Sequence, residues 1–515
     1  MSPIHSDKRG ALAAVLAVGV VAFLFRRKLF RTKADPPLAP SWQVIIGHVA
    51  TLLKGSHVIG PLLFDGMPGN VVELDVMGST AYMVRGPENV KRALSMSDRV
   101  GDADAKGLVE LNLYKKGILL NVDHASWKRN RKLFVEGIGK PKFLKSLAPS
   151  VDEYMRILCE SMDTVAGSSL PILSDVFFGC VALDLILAIT FTERHESAVR
   201  YLKHIRQDRP ADVSQHKKDH LLSLVHDTSK AIQFFIQTPP LLWKFVPSFR
   251  REATTHRKSS DQYEDFLYQK LLTTKQNLDV SDKSTIDFAT SLLLASESDQ
   301  SNQFPLEQAL SCIKEAVFGA TDTSSNTLSF VILELCRNPS IGDKICKEVV
   351  SVVGLDGNLT QQSLEHLPYV DAVIAEVGRC YTQAQVVWRQ LNQDLEMDGY
   401  HLKKDSAVFV AIQQNHWDPE LWADPKVFNP DRFYMQEKKE LGGPMGLGFS
   451  YVPFGYGVRK CPGESLALLQ MKIVVAHLCR RYTFKMAEPV VQPDIFSNLL
   501  LECHNLRVVV EKRLH

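Results

Sequence analysis

Residues 454–463 read Phe-Gly-Tyr-Gly-Val-Arg-Lys-Cys-Pro-Gly. The stretch presents a single cysteine, Cys461, in a glycine-rich loop that leads into a helix predicted over 464–481. Glycine permits a positive φ and lets a flat ligand approach the backbone closely, and Pro462 fits the first turn of a helix. At a helix N-terminus the backbone N–H groups and the helix dipole favour a thiolate over a thiol. The stretch therefore predicts a functional cysteine.

The neighbours of Cys461 indicate what it binds. A thiolate accompanied by glycine, arginine and an aromatic residue suits axial ligation of a haem iron, and Arg459 can neutralise an anionic group on the same ligand. A lone cysteine is more often a buried structural residue, but the whole pattern would then be coincidental. We therefore predict Cys461 as the iron ligand, with Phe454, Arg459 and Gly463 as further haem-binding residues.

The same stretch matches, at every fixed position, the cysteine-ligand signature Phe-x-x-Gly-x-Arg-x-Cys-x-Gly of the cytochrome P-450 family. The chain resembles the microsomal, membrane-anchored members of this family, and the resemblance covers nearly all of it after the first few dozen residues. It implies the cytochrome P-450 fold, which is mainly α with small β-sheets and is preceded by one N-terminal transmembrane helix. It also implies heme b (iron protoporphyrin IX) as the cofactor, with Cys461 as its axial thiolate ligand.

Composition argues against several other classes of protein. The 515 residues carry 60 basic and 58 acidic side chains, a formal net charge of +2, so no global field favours nucleic acid. A hydrophobic content of 45% can supply a large core. The nine cysteines are scattered, odd in number and free of any Cys-x-x-Cys pair. That usage favours a reducing compartment over a disulfide framework.

The N-terminal residues predict a membrane anchor. Ala11 to Phe25 is an uninterrupted apolar run, preceded by Lys8 and Arg9 and followed by a heavier basic cluster. A cleaved signal peptide is the alternative, because the run is short for a span of about 20 residues, but no small-residue cleavage site follows it. The basic cluster after the run would keep the catalytic part in the cytosol. We therefore predict a single-pass protein of the endoplasmic reticulum membrane that contacts membrane lipid.

The chain divides into predicted segments of different character. A proline-rich stretch, Ala34-Asp-Pro-Pro-Leu-Ala-Pro40, would form a stiff hinge between the anchor and the globular part. The segments are a short tail at 1–10, a transmembrane anchor at 11–30, a basic and proline-rich linker at 31–45 and a haem-thiolate catalytic domain at 46–515.

The catalytic part has mainly a helical pattern with a few short β runs. The clearest helix runs from Pro305, which suits a helix start, to Asn338, which precedes a proline. Residues 101–121 show no steady period and predict a long loop, and such loops are often functional. The predicted strands are 71–76 and 80–84, which form a hairpin, and 386–388, 408–411 and 506–511.

The long helix contains a run of weak helix formers, Gly319-Ala-Thr-Asp-Thr-Ser-Ser-Asn-Thr327. Ser and Thr side chains compete for backbone carbonyls and bend helices, so a local opening at 320–323 would leave a groove beside a flat cofactor. A polar surface stripe is the alternative. The run resembles the family's oxygen-binding motif, which implies Asp322 and Thr323 as the catalytic acid and hydroxyl. Ala320 stands where the family usually has glycine, at a position implied to contact the cofactor.

Glu376 and Arg379 form a Glu-x-x-Arg pair on one helix face, because residues three apart are neighbours. On its own the pair is a weak signal, since any long helix can carry a solvated ion pair of this kind. Together with Arg432 it resembles the family's buried Glu-Arg-Arg cluster, which implies charge-assisted bonds that support the cysteine loop. Thr382-Gln383 replaces the family's usual prolines after this motif.

Trp127 and Arg131 lie four residues apart, so an indole and a guanidinium share a helix face. A half-buried tryptophan beside a snorkelling arginine is the alternative. Their place in the chain matches the family's haem-propionate helix, and Arg389 occupies the family's other propionate-arginine position. The resemblance therefore implies all three as haem-binding residues.

A basic cluster adjoins that helix face. Lys128, Arg129 and Lys132 lie next to the implied propionate residues and could face solvent. In the family a basic proximal surface receives an acidic reductase, which implies an NADPH-dependent cytochrome P-450 reductase as the partner. A merely solvated basic face is the alternative.

These features together predict a haem-dependent monooxygenase. It would insert one oxygen atom from O₂ into a hydrophobic small molecule (a lipid, steroid, terpenoid or xenobiotic), using electrons from the reductase. One alternative is a haem-thiolate isomerase, dehydratase or peroxygenase, which needs no proton relay, although the intact Asp322-Thr323 pair speaks against it. A non-catalytic haem sensor is another, but it would want a signalling domain for which this chain leaves no room.

Overall fold

The computed structural model describes most of the predicted catalytic domain. The described residues are 35–38, 64, 67, 69–76, 79–96, 99–101, 105–139, 141–208, 219–278, 287–297, 304–434, 448–488, 490–497 and 499–514. The predicted tail and anchor lie outside them, as does most of the predicted linker. Within that linker, the carbonyl of Pro37 accepts from the N–H of Glu73 at 2.9 Å, and Leu38 forms an isolated β-bridge with Glu73.

Helices make up most of the described chain. Several begin at proline, because its missing N–H is not needed in the first turn. In chain order they are α1 (Pro87–Met96), α2 (His124–Ile138), α3 (Pro141–Met162), α4 (Ser174–Phe191), α5 (Ser197–Asp208), α6 (His220–Gln237), α7 (Pro240–Phe245), α8 (Pro247–Gln276), α9 (Phe288–Glu297), α10 (Leu306–Arg337), α11 (Pro339–Val353), α12 (Gln361–Leu364), α13 (Pro368–Cys380), α14 (Ile412–His416), α15 (Asp431–Tyr434) and α16 (Glu464–Arg481). A short 3-10 helix, Lys106–Leu111, interrupts the predicted loop at 101–121.

The strands form small sheets beside the helices. They are β1 (Val71–Val76), β2 (Ser79–Val84), β3 (Ile172–Leu173), β4 (Val386–Gln390), β5 (Leu395–Met397), β6 (Tyr400–Leu402), β7 (Ala407–Ala411), β8 (Tyr482–Met486), β9 (Asp494–Ser497), β10 (Leu501–His504) and β11 (Arg507–Lys512). One sheet has the order β1-β2-β7-β4 and another β3-β11-β8, while β5–β6 and β9–β10 are two-stranded pairs. The predicted fold class, mainly α with small β-sheets, is confirmed.

The sheet that contains β4 is covered on both faces. β1 and β2 form the predicted antiparallel hairpin, β2 runs parallel to β7, and β7 runs antiparallel to β4. Because successive strand residues point to opposite faces, Val72 and Met83 belong to one hydrophobic cluster and Tyr82 and Val84 to another. The sheet is therefore an internal layer, which gives β4 a fixed position.

The helical core is built around α10 and α4. The two helices pack along each other, and nearly every residue of α4 is buried. Among the described helices, α4 is the one long and apolar enough to cross a membrane. Because 83% of it is buried inside the protein, it is a core helix. The predicted anchor at 11–30 concerns other residues and stays a prediction.

Candidate active site

The cysteine loop is held between α1 and the start of α16, and α16 has the predicted bounds. Gly455 and Gly457 adopt positive φ values of 68° and 74°. A Cβ at Gly457 would overlap the backbone carbonyl oxygen of Leu94 in α1. The N–H of Cys461 donates to the carbonyl of Phe454 at 2.9 Å. Glycine is thus required at these two positions both by the backbone conformation and, at Gly457, by the close approach of α1.

Cys461 differs from the other cysteines in accessibility. All nine cysteines are among the described residues, and Cys461 is the one that is exposed. Protein atoms nevertheless surround it closely, so its thiol lines a recess. Burial raises the pKa of this thiol, although the N–H of Gly463 and the charges of Arg131 and Lys460 lower it. The expected thiolate stays a prediction for the haem-bound protein, because a coordinating metal ion deprotonates a thiol outright.

Two arginines converge beside this recess without an acidic partner. Arg131 donates to the carbonyl of Lys460, and its charge acts on Cys461. Arg389 donates to the carbonyl of Trp388 at 2.9 Å, and burial together with the charge of Arg131 lowers the pKa of Arg389 to about 10. Within the described residues neither guanidinium forms an ion pair, and Nε of Arg389 has no hydrogen-bond partner. Because buried charges are normally paired, the two arginines fit an anionic ligand such as the carboxylates of a haem.

Trp127 supports an arginine of the cysteine loop. Its buried indole donates to the carbonyl of Ile118 at 3.1 Å, and its role in haem binding stays a prediction. The guanidinium of Arg459 lies over the indole, 4.1 Å from the ring centroid, and donates to the carbonyl of Asn121 at 3.2 Å. The cation–π contact therefore fixes the direction of Arg459.

The basic cluster on α2 is only partly exposed. Lys128 and Lys132, one helical turn apart, face solvent, whereas Arg129 is partly buried. The two lysines share the helix that carries Trp127 and Arg131. The predicted basic surface is thus reduced to two exposed lysines on the helix that carries the predicted haem-binding residues Trp127 and Arg131.

α10 passes the recess as one continuous helix, with bounds one residue inside the predicted ones. The predicted opening at 320–323 is absent from this described helix. The hydroxyl groups of Thr321 and Thr323 do bond to carbonyls four residues back, that of Thr323 to Gly319 at 2.6 Å, yet the helix stays continuous. Most of the helix is buried, but Gly319, Ala320 and Thr323 keep accessible surface. A Cβ at Gly319 would meet no described atom within 4 Å. These positions form a strip on one face, so α10 offers open space without bending.

Asp322 does not share that open strip. It is buried and accepts a hydrogen bond from Ser229 in α6, and Nε2 of His226 lies 3.3 Å from its Oδ1. Burial raises the pKa of Asp322, while His226 and Ser229 lower it and the charge of Glu502 raises it. The predicted acid and hydroxyl therefore point to different neighbours. His226 and Ser229 were missed, since nothing in the pattern of α6 singles them out.

The predicted Glu-Arg-Arg cluster is present. Arg379 makes two bonds to Glu376, from Nε to Oε2 at 2.7 Å and from Nη2 to Oε1 at 2.8 Å. Nε of Arg432 lies 3.3 Å from the same carboxylate. Arg379 and Glu376 have no exposed side-chain surface. Nη1 of Arg379 also donates to the carbonyl of His416 at 2.8 Å, which joins α13 to the chain that leads toward the cysteine loop.

Thr382 makes bonds that a proline could not make. Its N–H donates to Oε1 of Gln413 at 3.1 Å, and its hydroxyl lies 2.6 Å from Nδ1 of His416. Nε2 of His416 accepts from the N–H of Val452 at 3.0 Å, so the proton of this imidazole belongs on Nδ1. Burial lowers the pKa of His416 to about 3, which keeps it neutral. A buried chain of hydrogen bonds thus runs from the end of α13 to the segment before Phe454.

Two adjacent charged residues of α10 fasten the loop at 101–121, and both were missed. Nζ of Lys314 donates to the carbonyl of Leu111 at 3.1 Å and to Glu264 at 2.8 Å. Glu315 accepts from the N–H of Leu119 at 3.0 Å, and burial raises its pKa to about 7. The helical period alone could not show that these charges face inward, because a charged pair is usually solvated.

Comparison with known proteins decides the family. A family model described as Cytochrome P-450 matches residues 37–510, which is most of the chain. The chain belongs to the cytochrome P-450 family. Membership makes it a P-450 monooxygenase, an oxidoreductase of a family that generally acts on hydrophobic substrates and uses a redox partner. It also implies a haem with a cysteine thiolate ligand.

Curated relatives are distant but cover most of the chain. Cytochrome P-450 3A56 of Fundulus heteroclitus is 27% identical over 368 residues, covering 70% of this chain and 69% of the relative. Tabersonine/lochnericine 19-hydroxylase of Catharanthus roseus is 26% identical over 487 residues, covering 92% of this chain and 91% of the relative. Cytochrome P-450 2J2 of Homo sapiens is 26% identical over 486 residues, covering 91% and 90%. This range of relatives supports the family and leaves the substrate of this P-450 open.

Proposed function

We propose that this P-450 inserts one oxygen atom from O₂ into a hydrophobic small molecule of lipid, steroid, terpenoid or xenobiotic type. Electrons come from an NADPH-dependent cytochrome P-450 reductase at the endoplasmic reticulum membrane, with residues 11–30 as anchor and the catalytic domain in the cytosol. The observation that carries the proposal is the recess in which Cys461 lies beside Arg131, with Arg389 close to Arg131. Neither arginine has a carboxylate partner among the described residues.

The residues around the recess suit heme b. Cys461 would supply the thiolate ligand, and Arg131, Arg389 and Arg459 would hold the carboxylates of the haem. When bound, the haem supplies the redox chemistry that reduces O₂ and transfers one of its atoms to the substrate. Phe454 bonds through its carbonyl to the N–H of Cys461, which fixes the direction of the loop. Support for Arg459 comes from the indole beneath it.

The open strip of α10 (Gly319, Ala320 and Thr323) would form a second wall of the active site. Gly319 and Ala320 leave room for small molecules, and Thr323 holds a hydroxyl proton at Oγ1 on the same face. Thr323 would donate that proton toward the reacting oxygen, and Asp322 would replace it. Because Asp322 and Thr323 point to different neighbours, a bound water would have to carry the proton between them, and exclusion of bulk water would keep the transfer directed.

Isotope labelling tests the proposed reaction. The full chain is reconstituted with an NADPH-dependent reductase in phospholipid vesicles and screened against hydrophobic compounds under ¹⁸O₂. The proposal expects product only with both NADPH and O₂, carrying one ¹⁸O atom. Turnover without NADPH and O₂ would instead support an isomerase or dehydratase.

One observation favours a peroxygenase as the second candidate. Asp322 bonds to α6 and lies off the open strip, so the chain does not hold the acid beside the hydroxyl as a relay would. A peroxygenase needs no such relay. Product formed with hydrogen peroxide alone, faster than with NADPH and reductase, would select this candidate.

Reductase docking should depend on the exposed lysines of α2. We expect Lys128→Glu with Lys132→Glu to slow reduction by the reductase roughly tenfold at low salt, because charge complementarity raises association rates. The measurement is stopped-flow reduction under carbon monoxide at several salt concentrations. Reversal of two exposed basic residues of α5, Lys203→Glu with Arg206→Glu, changes net charge equally and should have little effect. Equal rates for the two double variants would rule out this face.

A further inference from the structure

We propose that His226 is a proton port that connects buried Asp322 to solvent. Nε2 of His226 lies 3.3 Å from Oδ1 of Asp322, an oxygen that accepts no hydrogen bond within the described residues, so it is free to take a proton from the imidazole. The side chains of His226 and Asp322 are 23% and 9% exposed respectively. Ser229 donates to the other carboxylate oxygen and so fixes the orientation of the carboxyl. The imidazole thus touches both water and an acid that water scarcely reaches. The inference rests on the proposed function, in which Asp322 replenishes the proton of Thr323.

The other groups around Asp322 are unsuited to this task. Lys230 of α6 acts on Asp322 by its charge, without a hydrogen bond through which a proton could pass. From β10, Glu502 pairs with His504 at 2.6 Å. From α8, the buried Tyr263 has its pKa raised well above the usual range. Imidazole is the group that ordinarily exchanges protons near pH 7.

The transfer step is a simple proton movement. The N–H bond at Nε2 of His226 breaks and an O–H bond forms at Oδ1 of Asp322, which leaves a neutral imidazole and a neutral carboxyl. Solvent then returns a proton to the imidazole. No oxidant or reductant takes part. Because burial raises the pKa of Asp322, the carboxyl accepts a proton more readily than a solvated aspartate does.

Two substitutions of His226 distinguish its role as a source of protons from the effect of its positive charge. His226→Gln keeps a polar side chain but carries neither a cation nor a transferable proton. His226→Arg keeps the cation but holds its protons at neutral pH. His220→Gln, at the exposed start of the same helix, is the matched control. Thermal unfolding of each holoenzyme verifies that the fold is intact.

Infrared spectroscopy tests the contact independently of turnover. The acid C=O band of Asp322 is assigned by its loss in Asp322→Asn and followed against pH. An opposite charge favours the ionised carboxyl, so the band should persist to higher pH in His226→Gln and vanish at lower pH in His226→Arg. A band that titrates as in the unmodified protein in both variants would overturn the port.

Measurements of turnover test whether His226 supplies protons to Asp322. Product formed per NADPH should fall roughly tenfold in both variants, below the ~10²-fold or more that a positioned proton donor supplies directly. Product formed per NADPH by the unmodified protein should fall as pH rises through the range in which an imidazole ordinarily loses its proton, and that fall should vanish in both variants. Full recovery in His226→Arg would show a purely electrostatic role and overturn the port. An unchanged yield in Asp322→Asn would overturn the relay role within the proposed function, and the port with it.

Discussion

Cys461→Ala should abolish the thiolate-specific absorption band of the reduced, carbon monoxide-bound haem. The band reports a thiolate on the iron, and Cys461 is the one exposed cysteine. It lies in a glycine loop beside Arg131, and neither Arg131 nor the nearby Arg389 has an acidic partner in the part of the chain that the structure describes. Burial holds most of the other thiols within the core. We expect complete loss of the band and of monooxygenase activity, measured by difference spectroscopy on purified protein.

The matched control is Cys336→Ala. Cys336 is partly accessible and lies near the end of α10, away from the glycine loop, so its removal should leave the band in place. Haem content is measured in both variants, because the arginines can retain some haem after the thiolate is gone. A band that persists in Cys461→Ala would mean that another cysteine is the ligand.

Thr323→Ala should lower product formed per NADPH by roughly 10²-fold, the usual contribution of a positioned proton donor. Haem and substrate binding should persist, since the side chain belongs to the open strip rather than the core. Electrons should then appear as hydrogen peroxide, because O₂ that gains two electrons without a directed proton supply can leave in that form. NADPH, product and peroxide are measured in the same reaction.

Thr321→Ala and Thr323→Ser are the controls. The hydroxyl of Thr321 donates to the carbonyl of Val317 at 2.7 Å, an equivalent bond on a fully buried face, so its removal should leave coupling intact. Serine at 323 retains the hydroxyl and should restore most of the yield. Normal coupling in Thr323→Ala would refute the relay and strengthen the peroxygenase candidate.

The sequence predicted well those helices whose ends carry proline, glycine or asparagine. α16 has its predicted bounds because Pro462 and Gly463 leave little choice of where a helix begins. α10 follows its predicted course from a proline to an Asn-Pro pair. The bonding of Glu376 to Arg379 was also predictable, since residues three apart in a helix must be neighbours.

Directions of side chains within those elements were less predictable. Asp322 and Thr323 are adjacent, yet adjacent helix residues point about 100° apart, so one faces α6 and the other the open strip. The indole N–H of Trp127 meets the carbonyl of Ile118 because the loop folds back over α2. Lys314 and Glu315 face inward because both bond to the loop at 101–121. Each outcome depends on a segment outside the helix itself, which periodicity does not reveal.

Thr382 has a practical consequence for protein engineering. Replacing unusual residues by those common in a family is a frequent route to higher stability, and proline is the family's usual residue after the Glu-x-x-Arg motif. At this position proline would remove the N–H donated to Gln413 and the hydroxyl beside His416. Leaving a buried polar group unsatisfied costs about 1–3 kcal/mol. Consensus redesign of this P-450 should therefore exclude Thr382, or replace Gln413 and His416 together with it.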